Sequence, residues 1–256
     1  MSPLPIMRHK YPQLLILSIT LLCASAQATL EQLVYDDFEF RGSISTGDTL
    51  FGRSTAVGQT LYDYPSRLPF QYSEINGDEV ASAKPRTRNS ATSFAIPNMP
   101  QTGTIRIDAT VNLNQNNFDG IAGAWIGFTG DDSMGLLYGT SSEHVALRFL
   151  PTTKDAGRIQ LRSTVNSKKN ASLSTQALEI HNNHDYQLSL EYDLDTNIAT
   201  ATVTNTHTSQ SISTSSTPLH SIVLSKGQFD FTAIKAKTPL EGLPYFKEIA
   251  VAHSPR

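Results

Sequence analysis

Residues 185–205, DYQLSLEYDLDTNIATATVTN, hold two stretches of alternating polarity joined by a turn. Tyr186, Leu188, Leu190 and Tyr192 point one way and Gln187, Ser189, Glu191 and Asp193 the other, the period of two of a half-buried strand. Leu194-Asp195-Thr196-Asn197 supplies a polar turn, and residues 198–205, rich in Ala, Thr and Val, read as the return strand of a hairpin. The same pattern recurs along the chain. In residues 104–113, Ile105, Ile107, Ala109, Val111 and Leu113 alternate with Thr104, Arg106, Asp108, Thr110 and Asn112. Residues 121–128, IAGAWIGF, are apolar throughout and predict a strand buried on both faces.

Further strands are expected where Val145, Leu147 and Phe149 alternate, along Ile159, Leu161 and Val165, and over residues 219–224, 228–234 and 245–252. Leu33-Val34-Tyr35 with Phe38 predicts a short first strand. Residues 42–58 read as loop, and 61–72, with aromatics between Pro65 and Pro69, as an ordered loop over a core edge. Asn76-Gly77-Asp78 and residues 151–157 read as turns, and 84–93 as a polar stretch. Many short strands, turns about every ten residues and no helical period predict an all-β fold, an antiparallel jelly-roll β-sandwich.

Basic Arg8, His9 and Lys10, the apolar run LLILSITLL over 14–22 and small residues up to Ala28 form a secretory signal peptide, so residues 1–28 are expected to be removed. The run is shorter than the ~20 residues that a membrane-spanning helix needs. Residues 29–256 then form a single domain, a size that one all-β unit accommodates, in a secreted or periplasmic location. Cys23 is the only cysteine, which excludes a disulfide scaffold and thiolate chemistry from the processed chain. The formal net charge is −3 with 17% charged residues and no basic stripe interleaved with aromatics, so nucleic acid is not the expected partner.

Tyr35-Asp36-Asp37-Phe38, Leu50-Phe51-Gly52-Arg53, Ala124-Trp125-Ile126-Gly127-Phe128, the hairpin from Tyr186 to Val203 and the closing Tyr245 to Val251 occur in an order and spacing that resemble the concanavalin A-like lectin/glucanase superfamily, in its laminin G-like exported bacterial form. The resemblance spans most of residues 33–252 and implies two antiparallel sheets, one concave, and a carbohydrate-related role. It implies a polysaccharide or glycoconjugate as partner, bound on the concave sheet and its rim loops.

Two catalytic patterns bear comparison. Glu191-Tyr192-Asp193-Leu194-Asp195 is similar to the glucanase signature in which alternate carboxylates flank a sugar ring, ~5–5.5 Å apart in retaining enzymes. Here Thr196 stands where the acid is expected. Arg86-Thr87-Arg88, Glu179-Ile180-His181 and Tyr245-Phe246-Lys247 follow the order of motifs in alginate-lyase-like jelly rolls, but Glu179 replaces a Gln and Val251 the last Tyr. A lyase reading requires Arg86, His181 and Lys247 in one cleft.

The sequence therefore favours a non-catalytic, lectin-like domain, with a divergent lyase or glycosidase and a cell-envelope adhesion module as alternatives. The candidate ligand-binding residues are Arg86, Arg88, Tyr138, Arg148, Arg162 and His181, with Tyr62, Tyr64 and Tyr72 as further stacking candidates in polar loops. Trp125, inside an apolar strand, is assigned to the core. Asn117, Asp119, Asp131 and Asp132 supply loop oxygens suited to calcium, the one candidate cofactor. His181 and His184 lack a third ligand at zinc spacing.

Overall fold

The computed structural model describes residues 30–63, 70–83, 89–113, 123–130, 137, 143–153, 155–165, 168–181, 183–232 and 244–256. Among them there are two antiparallel sheets of eight strands each and no helix. The strands of the first sheet are β1 (Glu31–Asp36), β3 (Phe70–Ile75), β4 (Asp78–Ala83), β6 (Thr104–Asn112), β12 (Asp185–Asp193), β13 (Ile198–Asn205), β14 (Ser211–Ser215) and β16 (Tyr245–Ser254). Their order is β14-β13-β12-β6-β16-β4-β3, with β1 also pairing with β16. The second sheet holds β2 (Tyr62–Asp63), β5 (Asn89–Ala95), β7 (Gly123–Thr129), β8 (His144–Thr153), β9 (Ala156–Val165), β10 (Lys168–Leu173), β11 (Leu178–Glu179) and β15 (Lys226–Thr232). Its order is β10-β9-β8-β7-β15-β5-β2, with β11 pairing with β9. The chain crosses repeatedly between layers, so that β15 lies between β5 and β7 and β12 lies beside β6. This is the expected jelly-roll sandwich.

Alternation explains the layers. Ile105, Ile107, Ala109 and Val111 of β6 are buried, and β12 and β13 pair in the register Leu188 with Val203, Leu190 with Ala201 and Tyr192 with Ala199. Large side chains face small ones, which lets the layer interdigitate without voids. The turn at 194–197 closes through Asp193 Oδ1, which accepts the backbone N–H groups of Asp195 and Thr196, while Tyr192 Oη donates to Asn197 Oδ1 at 2.9 Å. Asn197 takes the left-handed conformation, φ 56°, which Asn tolerates better than most residues.

Between the sheets the centre is aromatic. The Phe70 ring lies 4.8 Å from Phe229, 5.6 Å from Phe231 and 5.8 Å from Phe246, and Phe229 lies 4.9 Å from Phe246. Phe38 and Tyr62 join this cluster through Phe229. Tyr62 also donates from its hydroxyl to buried Asp36 at 2.8 Å, and Asp36 Oδ1 accepts the Phe38 N–H at 3.0 Å. That bond turns the chain out of β1, with Phe38 at φ 56°, and drops its ring into the core. Phe38 is thus not part of the first strand.

Several expectations are corrected. Residues 78–83 and 89–95 are strands, although their side chains are small or polar, because both are paired on both sides or packed on a face. Tyr62 and Tyr72 are not loop platforms: they sit on β2 and β3 and are buried. The stretch 151–157 is mostly strand, since β8 runs to Thr153 and β9 begins at Ala156. Residues 219–224 form no strand; Ile222 and Leu224 are buried there and Val223 is exposed. Tyr64 lies outside the described residues.

Removing one ring from the inter-sheet cluster leaves a cavity as well as losing contact. Phe246→Ala is expected to destabilise the chain by about 3–5 kcal/mol, and Val223→Ala, at a side chain 74% exposed, by no more than about 0.5 kcal/mol. Urea denaturation of both variants checks this; equal losses would contradict the placement of the core.

Candidate functional site

The outward faces of the two sheets differ. On the first sheet the polar groups are engaged with one another. Arg106 Nε meets Asp108 at 2.6 Å and its Nη1 meets Glu191 at 3.8 Å. Thr110 donates to Glu248, and the pairs Thr200–Ser215, Thr202–Ser213 and Thr204–Ser211 share hydroxyl hydrogen bonds. Lys247 bridges Asp78 at 2.6 Å and Asp185 at 2.9 Å. Burial works against its charge, but the two carboxylates outweigh it and hold the ammonium above its ordinary range.

The outward face of the second sheet is organised around Trp125. Register places Trp125 of β7 beside Arg148 of β8, Arg148 beside Gln160 of β9, and Trp125 beside Asp230 of β15. Trp125 is fully buried, but it packs with Leu137 and Ala146 in a cluster separate from the inter-sheet core. Its buried state matches the sequence reading; its face does not. The ring is roofed by charge, with the Arg148 Cζ 5.1 Å and the Arg162 Cζ 5.9 Å from its centroid. Arg148 Nη1 donates to Gln160 Oε1 at 3.4 Å, and the indole N–H donates to Thr232 Oγ1 at 3.2 Å. Burial, and then the charge of Arg162, lower the Arg148 guanidinium from its ordinary value. Gly123 makes room for this arrangement: at φ 148° an added Cβ would stand 2.9 Å from Arg148 Nε.

Asp230 anchors the covered part of this face. It is completely buried, its Oδ1 accepts from Gln228 Nε2 at 2.8 Å and its Oδ2 accepts the backbone N–H of Leu137 at 3.0 Å. Burial pushes its carboxyl up to about 8, against the pull of both hydrogen bonds. Leu137 is thereby held against Trp125. Toward β2 the same sheet carries a cavity of about 350 Å³ lined by Phe51, Leu61, Asp63, Ser93, Phe94 and Lys226. Phe51 and Leu61 are exposed, and the Ser93 hydroxyl oxygen is buried with no hydrogen-bond partner.

The sequence-chosen residues fall into three groups. Arg148 and Arg162 come together over Trp125. His181 belongs to a different cluster: its N–H donates to the Tyr186 hydroxyl at 2.8 Å, its Nε2 lies 3.5 Å from Glu179, and its ring lies 4.6 Å from that of His184. His207, from the turn after β13, stacks on His184 at 4.4 Å, a third imidazole that local spacing did not offer. Burial first, then the neighbouring His207 and His181, lower His184 from its ordinary value. Among the described residues, no group of three or more His, Cys, Asp or Glu is arranged to hold a metal ion. Arg86, Arg88 and Tyr138, and the calcium candidates Asn117, Asp119, Asp131 and Asp132, lie outside the described residues.

The carboxylates compared with the glucanase signature do not share one strand face. Glu191 and Asp193 point outward from β12, but Asp195 lies in the following turn, accepting the Gly103 N–H at 2.9 Å and pairing with Arg256. The turn ends the period of two on which that comparison rested. Sequence reasoning missed Gln228, Asp230 and Thr232. The signal was present in KGQFDFT, where a carboxylate and an amide interrupt an otherwise apolar strand.

No family model matches the chain, and no curated protein matches it. Solved structures do. The CBM2 module of Lactobacillus casei BL23 phage J-1 evolved Dit aligns with a TM-score of 0.53 and 12% identity, covering 89% of this chain and 97% of that one. Lectin UEA-II complexed with galactose aligns with a TM-score of 0.53 and 12% identity, covering 83% of this chain and 100% of that one. Peanut lectin with a 9mer peptide aligns with a TM-score of 0.51 and 9% identity, covering 89% and 98%. The chain has the concanavalin A-like β-sandwich fold. Identity this low establishes the fold and leaves the activity to the site itself. On this concanavalin A-like sandwich, the face around Trp125 is where cationic, amide and aromatic groups converge.

The raised carboxyl of Asp230 makes stability depend on pH with a defined sign. Unfolded, it ionises near its ordinary value of 3.8; folded, it stays protonated to about 8. Its contribution is therefore full below the ordinary value, declines as pH rises through this window and levels off above it. Asp230→Asn removes the titration. Thermal melts across the window are expected to show the variant gaining stability relative to the parent as pH rises; a constant difference would contradict the buried, protonated acid.

Proposed function

We propose that the chain is a non-catalytic carbohydrate-binding domain of the laminin G-like kind, exported by way of residues 1–28 and folded as one domain over residues 29–256. The observation that carries this reading is the outward face of the second sheet, where half-buried Arg148 and Arg162 stand over a buried indole and Gln160 accepts a hydrogen bond from Arg148. Sugar hydroxyls need fixed donors and acceptors beside an apolar surface, and this face and the neighbouring Phe51 cavity offer both. Structural relatives named as a carbohydrate-binding module and a galactose-complexed lectin support the same reading.

Binding without turnover is favoured by the state of two titratable groups, Asp230 beside Trp125 and Lys247 of the lyase comparison. Asp230 is sealed beneath the Leu137 backbone, and Lys247 is held between two carboxylates on the other sheet. A general acid or base must reach the proton it moves, and neither group is placed to meet a bound sugar. Calcium held by the oxygens of Asn117, Asp119, Asp131 and Asp132, which flank β7 in the sequence, remains part of the proposal. The expected partner is a polysaccharide or glycoconjugate.

The test is a glycan-array screen of residues 29–256, with and without calcium, on the parent chain and on Arg148→Ala and Arg162→Ala. Selective binding that each variant weakens by about tenfold or more supports the site, since losing a charge-assisted hydrogen bond costs ~1.5–3 kcal/mol. Strengthening by calcium would support the loop metal. Turnover of a bound polysaccharide would replace this reading with an enzyme, and absence of glycan binding would overturn it.

A further inference from the structure

Resting on the carbohydrate reading, we infer that the chain carries a second saccharide site, a cleft between the two sheets on the side where β10 and β14 end their layers, which takes the end of a short saccharide through hydroxyl, amide and imidazole groups. Strand β9 serves both sites. Arg162 stands outward over Trp125, while Ile159 and Leu161 join the inter-sheet core, so alternation turns Ser163 inward as well. Ser163 is 4% exposed. Register sets Asn170 of β10 opposite Ser163 on one side and Val145 of β8 on the other. This inward row is thus apolar at Val145 and ends in a hydroxyl and an amide at the margin of the sheet. Polar groups between two layers call for hydrogen-bonding partners, and a ligand in the cleft supplies them.

The facing wall is the stretch 216–220 that follows β14. Backbone bonds fasten it to the hairpin: the Ser216 N–H donates to the Ala199 carbonyl at 2.8 Å, Ser216 Oγ accepts the Ala199 N–H at 3.0 Å, and the Leu219 N–H donates to the Asn197 carbonyl at 2.8 Å. The Leu219 side chain packs against the core. Between the walls lies a cavity of about 540 Å³, to which Leu161 and Leu219 contribute apolar surface and Ser163, Asn170, Thr217 and His220 polar groups. That volume falls within the ~300–1,000 Å³ of small-molecule sites. A sugar ring carries hydroxyls on its edge and C–H groups on its faces, so it needs both kinds of surface together. Hydroxyl and amide side chains donate as well as accept, which matches sugar hydroxyls in either role. Because one wall is a paired strand and the other is tied down by backbone bonds, little order is lost on binding. The two sites lie on opposite faces of β9, so one chain can hold two saccharide ends at once.

The experiment follows the backbone amide NMR signals of the isotope-labelled chain during titration with lactose, cellobiose, mannobiose and chitobiose, and with glycerol as a small polyol. The expected result is a saturable displacement of the Ser163, Asn170, Thr217 and His220 amides by at least one disaccharide. Ser163→Ala and Thr217→Val each remove one hydroxyl with little change of shape, and each is expected to weaken that binding by about three- to tenfold. The comparison of disaccharides with glycerol uses the parent chain and does not depend on how the variants fold. Displacement of the same amides by glycerol at equal concentration overturns the saccharide assignment, as does binding undiminished in both variants. Displacements confined to the face around Trp125 overturn the second site and leave the carbohydrate reading standing. No displacement by any disaccharide overturns this inference, and it overturns the carbohydrate reading only if the glycan array is also blank.

Discussion

The contact of Phe70 and Phe246 from one sheet with Phe229 and Phe231 from the other sets the spacing on which the molecule depends. Burial of aromatic surface is the largest favourable contribution available to a sandwich without disulfides. The Phe38 ring is brought to the same place by a polar device, the bond from Tyr62 to buried Asp36. Because β15 supplies both Phe229 and Phe231 to this core, its other residues, Gln228, Asp230 and Thr232, must point out of the opposite face. The core thus dictates where the polar site begins.

That opposite face is unusual in being buried at its centre. Leu137 comes down on Trp125, and its backbone N–H meets Asp230, an acid that burial keeps protonated. Away from this covered centre, toward β9, the burial eases and Arg148, Gln160 and Arg162 become half-exposed. An aromatic floor beneath two cations is a stable arrangement by itself, since the ring attracts each guanidinium group. On the first sheet, by comparison, Arg106 and Lys247 are held by carboxylates within the surface.

Much of the fold was legible from the sequence because period two survives wherever one face is buried. β6, β12 and β13 carry their full pattern, and the double burial of β7 follows from its unbroken apolar run. β4 and β5 were not legible. DEVASA and NSATSFA carry small and polar side chains, and their strand state comes from pairing with β3, β16, β2 and β15. Tyr62 and Tyr72 misled for the opposite reason: aromatic residues beside prolines look like loop anchors until a second sheet is placed over them.

Of the candidate site, the sequence identified Arg148 and Arg162 as outward cations but had no means of joining them to Trp125, which lies on another strand. By itself the sequence determined the strand faces, the antiparallel sandwich and the lack of disulfides in residues 29–256, because these follow from local periodicity and composition. Only the tertiary structure decided that one indole would lie beneath two guanidinium groups, that Asp230 would be sealed and protonated, and that His207 would stack on His184. Those outcomes depend on register between strands distant in the chain, and register is fixed by the whole core rather than by any one segment.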